Sequence, residues 1–492
     1  MAQKCSLTHG SKDLENESSV YHDAASAAPL VVHENEALVC DSASQPAPSK
    51  SSRRRHGMED PCFVAPHPDL LKEMIDKFNE LKDRASQELP ILRNLLRLKE
   101  PRSLGLNDGL LHPNQSSPKR ATLTGAINVI VVLVDFSDKQ FTASTQTAAH
   151  YHDLWFGVGN NSVNDFYKEA SNNKVEISGE VVGPYRLPHP ITYYANGYYG
   201  IGNYSPNSRN MATDAANLAK GNVDFSKYDN DGDGTVETFV IIHAGEGAER
   251  TGNVNDIWSH KWAMSSYVQD DGVTLFPYLT VPADCKLGVC AHELGHLAFD
   301  WPDLYDADYS SAGIGNWCLM AAGSYNGNES NPSPPSAWCK VDQEWVSVNT
   351  ISKSSQVSLE DVKTGHSVLK IHETGAPTTE YWLLENRHKV GRDADLPGDG
   401  LLVWHVDDAL DDNDNEAVHY KVGLLQADGR KDLENNEDRG DDGDPFPGVA
   451  DVRAISSSTT PSTIAYSSSA TTAFALANIS DPAATMTFNI TM

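Results

Sequence analysis

The chain has 492 residues, which is enough for two or three domains, and it carries a formal net charge of −30 at pH 7. The phosphates of nucleic acids and anionic lipid surfaces both require a basic protein face, so this charge argues against both as partners. Apolar runs such as residues 129–134 have the length of a strand and not of a membrane-spanning helix. We therefore expect a protein without a membrane span, and we expect it to be a monomer.

The N-terminal quarter of the chain differs in composition from the rest. Residues 1–60 are rich in Ser, Ala and Glu, which predicts a disordered segment. Residues 61–120 predict a helical pro-segment or linker, because apolar side chains between residues 69 and 98 recur at the spacing of an amphipathic helix. That helix would suit a propeptide that packs on the next domain, or an interaction helix. The basic pair at residues 119–120 would suit proteolytic trimming.

Residues 121–346 alternate between strand and helix patterns. The predicted elements are a strand at 128–136, a helix at 162–170, a strand at 174–182, a helix at 209–220, a strand at 239–243 and a helix that ends near 300–302. From residue 347 onward, short apolar runs between turn residues predict a β-sandwich instead. The expected fold class is therefore α+β, with an α/β domain over 121–346 and a β-rich domain over 347–492.

An acidic loop precedes the predicted strand at 239–243. Residues 229–237, with the sequence DNDGDGTVE, place side-chain oxygens at alternate positions and glycines where a calcium loop must turn sharply. Val240 stands where a full EF-hand loop has its bidentate glutamate, so we predict a shorter calcium loop. Its expected ligands are Asp229, Asp231, Asp233, the Thr235 carbonyl and Glu237. A polar turn without metal is the alternative, but three neighbouring aspartates repel one another without a cation.

Residues 292–296, with the sequence HELGH, carry the chemistry. His292 and His296 lie four residues apart, so on a helix both imidazoles point the same way and can bind one metal ion. Glu293 faces the same cleft and is the predicted general base, which takes a proton from a zinc-activated water. The alternative is a pair of hydrogen-bonded histidines in an ordinary helix. The motif predicts a zinc hydrolase that acts on peptide bonds.

The chain resembles the immune inhibitor A family of zinc metallopeptidases from about residue 126 to the C-terminus. The resemblance rests on HELGH and on VVLVDFSD at 131–138, residues 228–237, HAGEGAE at 243–249, DIWSH at 256–260, PDLYD at 302–306, LPGDGLLVWH at 396–405, QADG at 426–429 and DPFPG at 444–448. It implies a metzincin-like catalytic domain, a catalytic Zn²⁺ and a structural Ca²⁺. Met320, in a turn of small residues, would then form the floor of the zinc site.

The third zinc ligand is less clear from the sequence. A metzincin ligand follows the second histidine by six residues, whereas Asp303 follows His296 by seven, and Phe299 replaces the expected glycine. Asp303 is the predicted ligand. A helix-stop carboxylate or a partner for a ligand histidine is its alternative role. The competing carboxylates are Asp300, Asp306 and Glu329.

The resemblance implies a zinc-dependent endopeptidase with protein or peptide substrates. The alternative is a non-catalytic, calcium-dependent binding or adhesion protein on a protease-derived scaffold, although an intact HELGH motif speaks against it. Tyr325 would suit oxyanion stabilisation or simple packing. Residues 407–444 contain 14 acidic and 4 basic residues. This stretch predicts either a second calcium site, using some of Asp428, Asp432, Glu434, Asp441, Asp442 and Asp444, or a solvated loop.

Signals for location and latency are mixed. The polar residues 1–10 do not form a standard export signal, yet glycosylation sequons such as those at Asn114, Asn160, Asn328 and Asn478 and the family resemblance favour an extracellular protein. Four cysteines near the motif would form two disulfides or remain buried thiols; they are Cys285, Cys290, Cys318 and Cys339. Cys62 would either occupy the zinc of a latent zymogen, as in cysteine-switch proteases, or be an ordinary lone cysteine.

Overall fold

The computed structural model describes residues 62–74, 123–202, 204–307, 310–413, 419–467, 469–470 and 473–492. The predicted disordered segment, the trimming pair at 119–120 and most of the predicted helix at 69–98 lie outside these residues. Residues 68–74 are helical. No helix in these described ranges is both long and apolar enough to cross a membrane.

The described residues form a mixture of helices and strands. The strands are β1 (Cys62–Phe63), β2 (Gly125–Asp135), β3 (Val175–Arg186), β4 (Thr235–Val236), β5 (Phe239–His243), β6 (His260–Asp270), β7 (Val273–Pro282), β8 (Ser347–Ile351), β9 (Ser355–Glu360), β10 (Ser367–Ile371), β11 (Glu380–Arg387), β12 (Gly400–Asp407), β13 (Val422–Leu424), β14 (Ala475–Ala477) and β15 (Thr485–Thr491). The α-helices are α1 (Ala148–Phe156), α2 (Val163–Ala170), α3 (Ile191–Ala195), α4 (Ser208–Ala219), α5 (Ala248–Thr251), α6 (Leu287–Phe299), α7 (Ala337–Asp342) and α8 (Val362–Gly365).

The predicted elements of the first domain agree with β2, α2, β3, α4, β5 and the end of α6 to within a few residues. The hairpin of β6 and β7 was not predicted. Both of its strands are buried along much of their length, so they lack the strict alternation that marks a strand with one solvent face.

The larger sheet has seven strands in the order β1-β6-β7-β5-β2-β3, with β4 paired to β7. β2 pairs in parallel with β3 and β5, and β5 with β7, whereas β6 is antiparallel to β7. Alternate residues of β2 face opposite cores. Val129, Val131 and Leu133 pack with α1, α2 and α6, while Ile130, Val132 and Val134 pack with α4. The sheet thus lies between two layers of helices, which satisfies the mixed α+β expectation.

Helix α6 carries the HELGH motif and is buried along its whole length. It ends at Phe299 because Asp300 adopts the left-handed conformation, with φ 55° and ψ 32°, and donates its backbone N–H to the Gly295 carbonyl. Pro302 then prevents the helix from resuming. The chain therefore turns back sharply towards the side of the helix that carries the histidines.

Two further sheets follow residue 346. A five-stranded sheet runs β13-β12-β11-β10-β8, and a three-stranded sheet runs β14-β15-β9. Leu383 of β11 packs in the core that contains α6, whereas Trp382 and Leu384 pack against Phe488 and Ile490 of the smaller sheet. Strands β11 and β12 of the five-stranded sheet are thus buried on both faces, with α6 and its neighbours on one side and the three-stranded sheet on the other, whereas the edge strand β8 is exposed.

Candidate metal centre

The two histidines of α6 present one nitrogen each to the same point. His292 and His296 are 0% and 2% exposed, and their Nε2 atoms lie 3.0 Å apart. The Nδ1 atoms lie 2.8 Å from the Leu319 carbonyl and 2.6 Å from the Trp301 carbonyl. Because a carbonyl can only accept, each Nδ1 carries the proton and each Nε2 keeps its lone pair free for a metal.

Asp303 supplies a third donor atom at the same point. Its Oδ1 lies 3.2 Å from His292 Nε2 and 3.1 Å from His296 Nε2. Burial by itself would raise the pKa of Asp303, but the neighbouring imidazoles outweigh it and hold that pKa well below the ordinary value. Burial lowers the pKa of His296. Neutral imidazoles and an ionised carboxylate are the forms of these side chains that bind a metal ion.

The competing carboxylates have other partners. Asp306 accepts hydrogen bonds from Ser310 and from the backbone and hydroxyl of Ser311. Glu329 pairs with Arg250, and Asp300 is the left-handed residue that ends α6. The structure thus brings Asp303, and not one of these three, beside both histidines.

The donor set fits a zinc ion. Zinc binds nitrogen and oxygen at about 2.0–2.2 Å in a tetrahedron, which separates two ligand atoms by about 3.3–3.5 Å. The three separations here, 3.0, 3.1 and 3.2 Å, are slightly shorter, so a small outward movement of the side chains accommodates the ion. Two imidazoles and one carboxylate also leave a fourth position, as catalytic zinc sites do.

Glu293 lies beside this triangle with its carboxyl fully buried. Neither oxygen accepts a hydrogen bond of normal geometry from the described residues. Burial raises its pKa well above the ordinary value, and the negative charges of Asp303 and Glu249 raise it further, while the backbone amide of Val64 acts in the opposite direction. An unpartnered buried carboxyl is costly for folding, so its retention here points to a chemical task.

The turn around Met320 lies directly beneath the histidines. The Leu319 carbonyl accepts from His292, and the Met320 carbonyl accepts from the Leu304 backbone at 2.7 Å. A Cβ at Gly295 would lie 2.7 Å from Met320 Sδ, so glycine lets the methionine approach the helix between the two histidines. The turn therefore orients both the helix and the segment that carries Asp303.

The acidic loop at 229–237 gathers four carboxylates. Asp229, Asp231, Asp233 and Glu237 each place an oxygen within 4.8 Å of the others. Gly232 and Gly234 have φ of +77° and +88°, a conformation that favours glycine. Asn230 exchanges hydrogen bonds with the backbone of Asn128, the N–H contact being 2.8 Å. The loop is thereby fixed to strand β2 of the catalytic sheet, and its all-oxygen donor set suits Ca²⁺.

The second acidic stretch is only partly drawn together. Asp428, Asp432 and Asp441 approach within 4.8 Å, but Arg430 pairs with all three at 3.3–3.9 Å. Asp444 accepts from the Trp317 indole at 2.8 Å. This arrangement fits either a bound cation or a loop whose negative charge is partly neutralised by Arg430.

The remaining histidines and cysteines of the family-like segments fill the core. Burial lowers the pKa of His243 and of His260 to about 4, and His260 bonds to Ser208 and Tyr278. The described cysteines are buried free thiols. Hydrogen bonds join Cys285 to Cys290 and Cys318 to Cys339, so the structure has neither of the two disulfides that the sequence allowed.

Sequence reasoning assigned no role to Tyr305 or Trp258, and it left the roles of Tyr325 and Cys62 open. Tyr305 and Trp258 donate hydrogen bonds to the carbonyls of Phe63 and Val64 at 2.7 and 2.8 Å. Tyr325, for which oxyanion and packing roles were open, donates to the Ala65 carbonyl. Cys62 places its sulfur within 4.8 Å of donor atoms of His296 and Asp303. Contacts over such long sequence separations leave no local signal in the sequence.

Comparison with known proteins agrees with this geometry. The family described as immune inhibitor A peptidase M6, catalytic domain, matches residues 125–352. A pre-pro-metalloprotease, PrtV of Vibrio cholerae, is 27% identical over 296 residues, which are 46% of this chain and 32% of the relative. Immune inhibitor A of Bacillus thuringiensis subsp. alesti is 27% identical over 260 residues, 42% of this chain and 38% of the relative. The chain thus spans about a third of the length of these curated relatives.

Proposed function

Because residues 125–352 belong to the catalytic domain of the immune inhibitor A metallopeptidase family, we propose that this chain is a zinc-dependent endopeptidase that hydrolyses protein or peptide substrates. The observation that carries the proposal is the triangle of His292, His296 and Asp303, whose ligand atoms lie within 3.2 Å of one another beside the buried carboxyl of Glu293. The proposed catalytic domain covers residues 121–346 and is metzincin-like, and the β-rich domain at 347–492 forms a β-sandwich.

The proposed mechanism divides the work among these residues. His292, His296 and Asp303 would hold a zinc ion, which would lower the pKa of a bound water and polarise the scissile carbonyl. Glu293 accepts the proton of the attacking water and delivers it to the leaving amine. The Leu319 and Trp301 carbonyls hold His292 and His296 in the tautomer that ligates, and burial raises the pKa of the Glu293 carboxyl well above its ordinary value, which favours uptake of a proton.

Casein cleavage tests the proposal. We expect the purified chain, assayed before and after limited trypsin treatment and with trypsin then blocked by a serine-protease inhibitor, to cleave casein. We expect 1,10-phenanthroline to reduce cleavage to background, because it removes the zinc ion that the proposed mechanism requires. Added Zn²⁺ should restore cleavage. A protein that binds Ca²⁺ but cleaves nothing under any of these conditions would instead favour the adhesion alternative.

We further propose a structural Ca²⁺ at Asp229, Asp231, Asp233 and Glu237, with the Thr235 carbonyl as a fifth donor. Saturating Ca²⁺ is expected to raise the melting temperature of the chain, since a ligand at 100 times its Kd adds about 2.7 kcal/mol to the free energy of unfolding. Asp231→Asn should reduce this gain, because it removes one charged ligand. The fold should tolerate the change, because Asp231 is exposed and accepts a hydrogen bond from the Asp233 backbone N–H at 3.2 Å that an asparagine oxygen can also accept. Asp153→Asn, on the exposed face of α1, is the control. Equal Ca²⁺ responses of the two variants would place the ion elsewhere.

An extracellular zymogen is the proposed state of the secreted chain. The Vibrio cholerae relative is a pre-pro-metalloprotease, a precursor with pre- and pro-segments. The acidic surface suits a protein that meets millimolar Ca²⁺ outside the cell. We expect the protein to be monomeric.

A further inference from the structure

Residues 62–67 run across the mouth of the candidate zinc site. Cys62 and Phe63 form β1, which pairs antiparallel with Lys261 and His260 on the outer edge of β6. The backbone N–H of Val64 donates to the Ser259 carbonyl at 3.4 Å, and that of His67 donates to the Glu249 carbonyl at 2.7 Å. The segment therefore adds a short strand to an edge that would otherwise be open to a peptide.

Three side chains from different parts of the site hold the carbonyls of this segment. Tyr305 follows the turn that carries Asp303, Tyr325 follows the Met320 turn, and Trp258 precedes β6. They donate to the Phe63, Ala65 and Val64 carbonyls respectively. Val64 and Ala65 are themselves 0% and 4% exposed. The cleft is thus built to grip an extended backbone, and residues 62–65 occupy it.

The sulfur of Cys62 is directed at the metal ligands. Cys62 is 5% exposed and is not in a disulfide. Its Sγ belongs to a group with His296 and Asp303 in which every ligand atom lies within 4.8 Å of the others. The adjacent Glu293 carboxyl is fully buried and has no hydrogen-bond partner of normal geometry in the described chain. The Cys62 sulfur therefore lies close to two of the three proposed zinc ligands.

We infer that Cys62 is the fourth ligand of the zinc site in a latent form of this protein, and that residues 62–67 are a tethered plug of the substrate cleft. The inference rests on the proposed zinc site. Two imidazoles, one carboxylate and one thiolate would supply the four donors of a closed zinc site, and a site closed by four protein ligands has no position for water. Because ligation requires a thiolate, the Sγ–H bond breaks as the sulfur–zinc bond forms, and the proton leaves to solvent.

The same contacts explain why the plug would persist. The thiol is held in the chain, so its effective concentration at the zinc is far above that of a free thiol. Release requires the sulfur, the three carbonyl contacts and the β6 pairing to be lost together. The segment must therefore be displaced or cut before a substrate can use either the cleft or the fourth zinc position.

Cobalt substitution tests the ligand directly. The full chain is stripped of metal and loaded with Co²⁺, whose near-ultraviolet charge-transfer band reports a bound thiolate. We expect the band in the unaltered chain and in Cys40→Ser, the same substitution at a cysteine outside the described residues, and we expect its loss in Cys62→Ser and Cys62→Ala. Zinc loss to a chelator should be at least about tenfold faster in both Cys62 variants, since even indirect ligand contacts are worth 10–100-fold in affinity.

The outcomes distinguish failure of Cys62 as a ligand from failure of the proposed zinc site. A chain that binds one Co²⁺ but shows the same spectrum with and without Cys62 overturns the inference and leaves the zinc site standing. A chain that binds no metal at His292 and His296 overturns both. Without trypsin treatment, the Cys62→Ser chain should also cleave casein at least about tenfold faster than the parent chain, because the fourth zinc position is no longer blocked. After trypsin treatment the two rates should differ less. Equal untreated rates with metal bound would exclude latency through Cys62.

Discussion

Glu293→Gln is expected to lower casein cleavage by at least about 10²–10⁴-fold while the protein keeps its full zinc content. General acid–base catalysis contributes a factor of this size, and an amide cannot take up a proton near neutral pH. The proposed ligand atoms belong to His292, His296 and Asp303, so the substitution leaves the donor triangle intact. The measurement is kcat/KM on trypsin-treated protein, together with zinc content by atomic absorption.

The fold should tolerate this change. Glu293 is fully buried and its pKa is raised, so the folded protein already bears the cost of a carboxyl without hydrogen-bond partners. A neutral amide of the same shape imposes no greater charge burial, and the melting temperature should not fall appreciably. Glu176→Gln, on the exposed part of β3, is the matched control and should keep full activity. Zinc-loaded Glu293→Gln with the turnover of the parent would remove Glu293 from the mechanism.

Arg387→Met is expected to destabilise the fold by about 3–5 kcal/mol, which is the usual cost of removing one partner from a buried ion pair. Arg387 is 0% exposed, and its guanidinium donates three hydrogen bonds to the Asp393 carboxylate, the shortest at 2.7 Å. Burial by itself would raise the pKa of Asp393, but Arg387 outweighs it and lowers that pKa. Without Arg387, the Asp393 carboxylate keeps its ion pair with Lys363 at 2.5 Å.

This network also joins the two halves of the described chain. Glu385 of β11 lies 3.4 Å from Arg387 and 3.4 Å from Lys340, which belongs to α7. The Trp404 indole donates to the same glutamate at 3.0 Å. Loss of Arg387 therefore weakens the contact between the peptidase part and the five-stranded sheet, and proteolysis between residues 342 and 380 should accelerate.

Thermal unfolding followed by circular dichroism provides the measurement. Arg453→Met is the control, because Arg453 and its partner Asp481 are largely exposed and such pairs contribute about 0–1 kcal/mol. Arg387→Met with Asp393→Leu should recover part of the loss, since the double change leaves less unpaired charge in the core. An equal decrease in melting temperature for Arg387→Met and Arg453→Met would show that the buried network does not stabilise the fold.

Regular elements of the first domain were accessible from the sequence for a simple reason. Strand β2 is a continuous apolar run, α2 begins with Ser162 capping Asp165, and α4 repeats its buried alanines at helical spacing. Each signal is local, so it survives without knowledge of the neighbours. The β6–β7 hairpin and the short strands β8, β10, β13 and β14 were missed, because burial on both faces or a length of three to five residues erases the period.

The sequence by itself indicated the chemistry that we propose for the centre. Two histidines four residues apart must share a helical face, a glutamate beside the first must lie near them, and alternating aspartates around glycines must converge in a turn. These relations depend only on backbone geometry within one helix or loop. They were sufficient to predict a zinc hydrolase motif and an acidic loop suited to Ca²⁺.

Only the tertiary structure decided which distant groups meet at that centre. Spacing favoured Asp303 over Asp300, Asp306 and Glu329 without excluding them. The left-handed turn at Asp300 brings Asp303 to the histidines, while Asp306 accepts from Ser311 and Glu329 pairs with Arg250. Cys62 lies 234 positions before His296, so no spacing rule could link them. Contacts of that kind are fixed by the packing of whole elements, and packing depends on every side chain of the core at once.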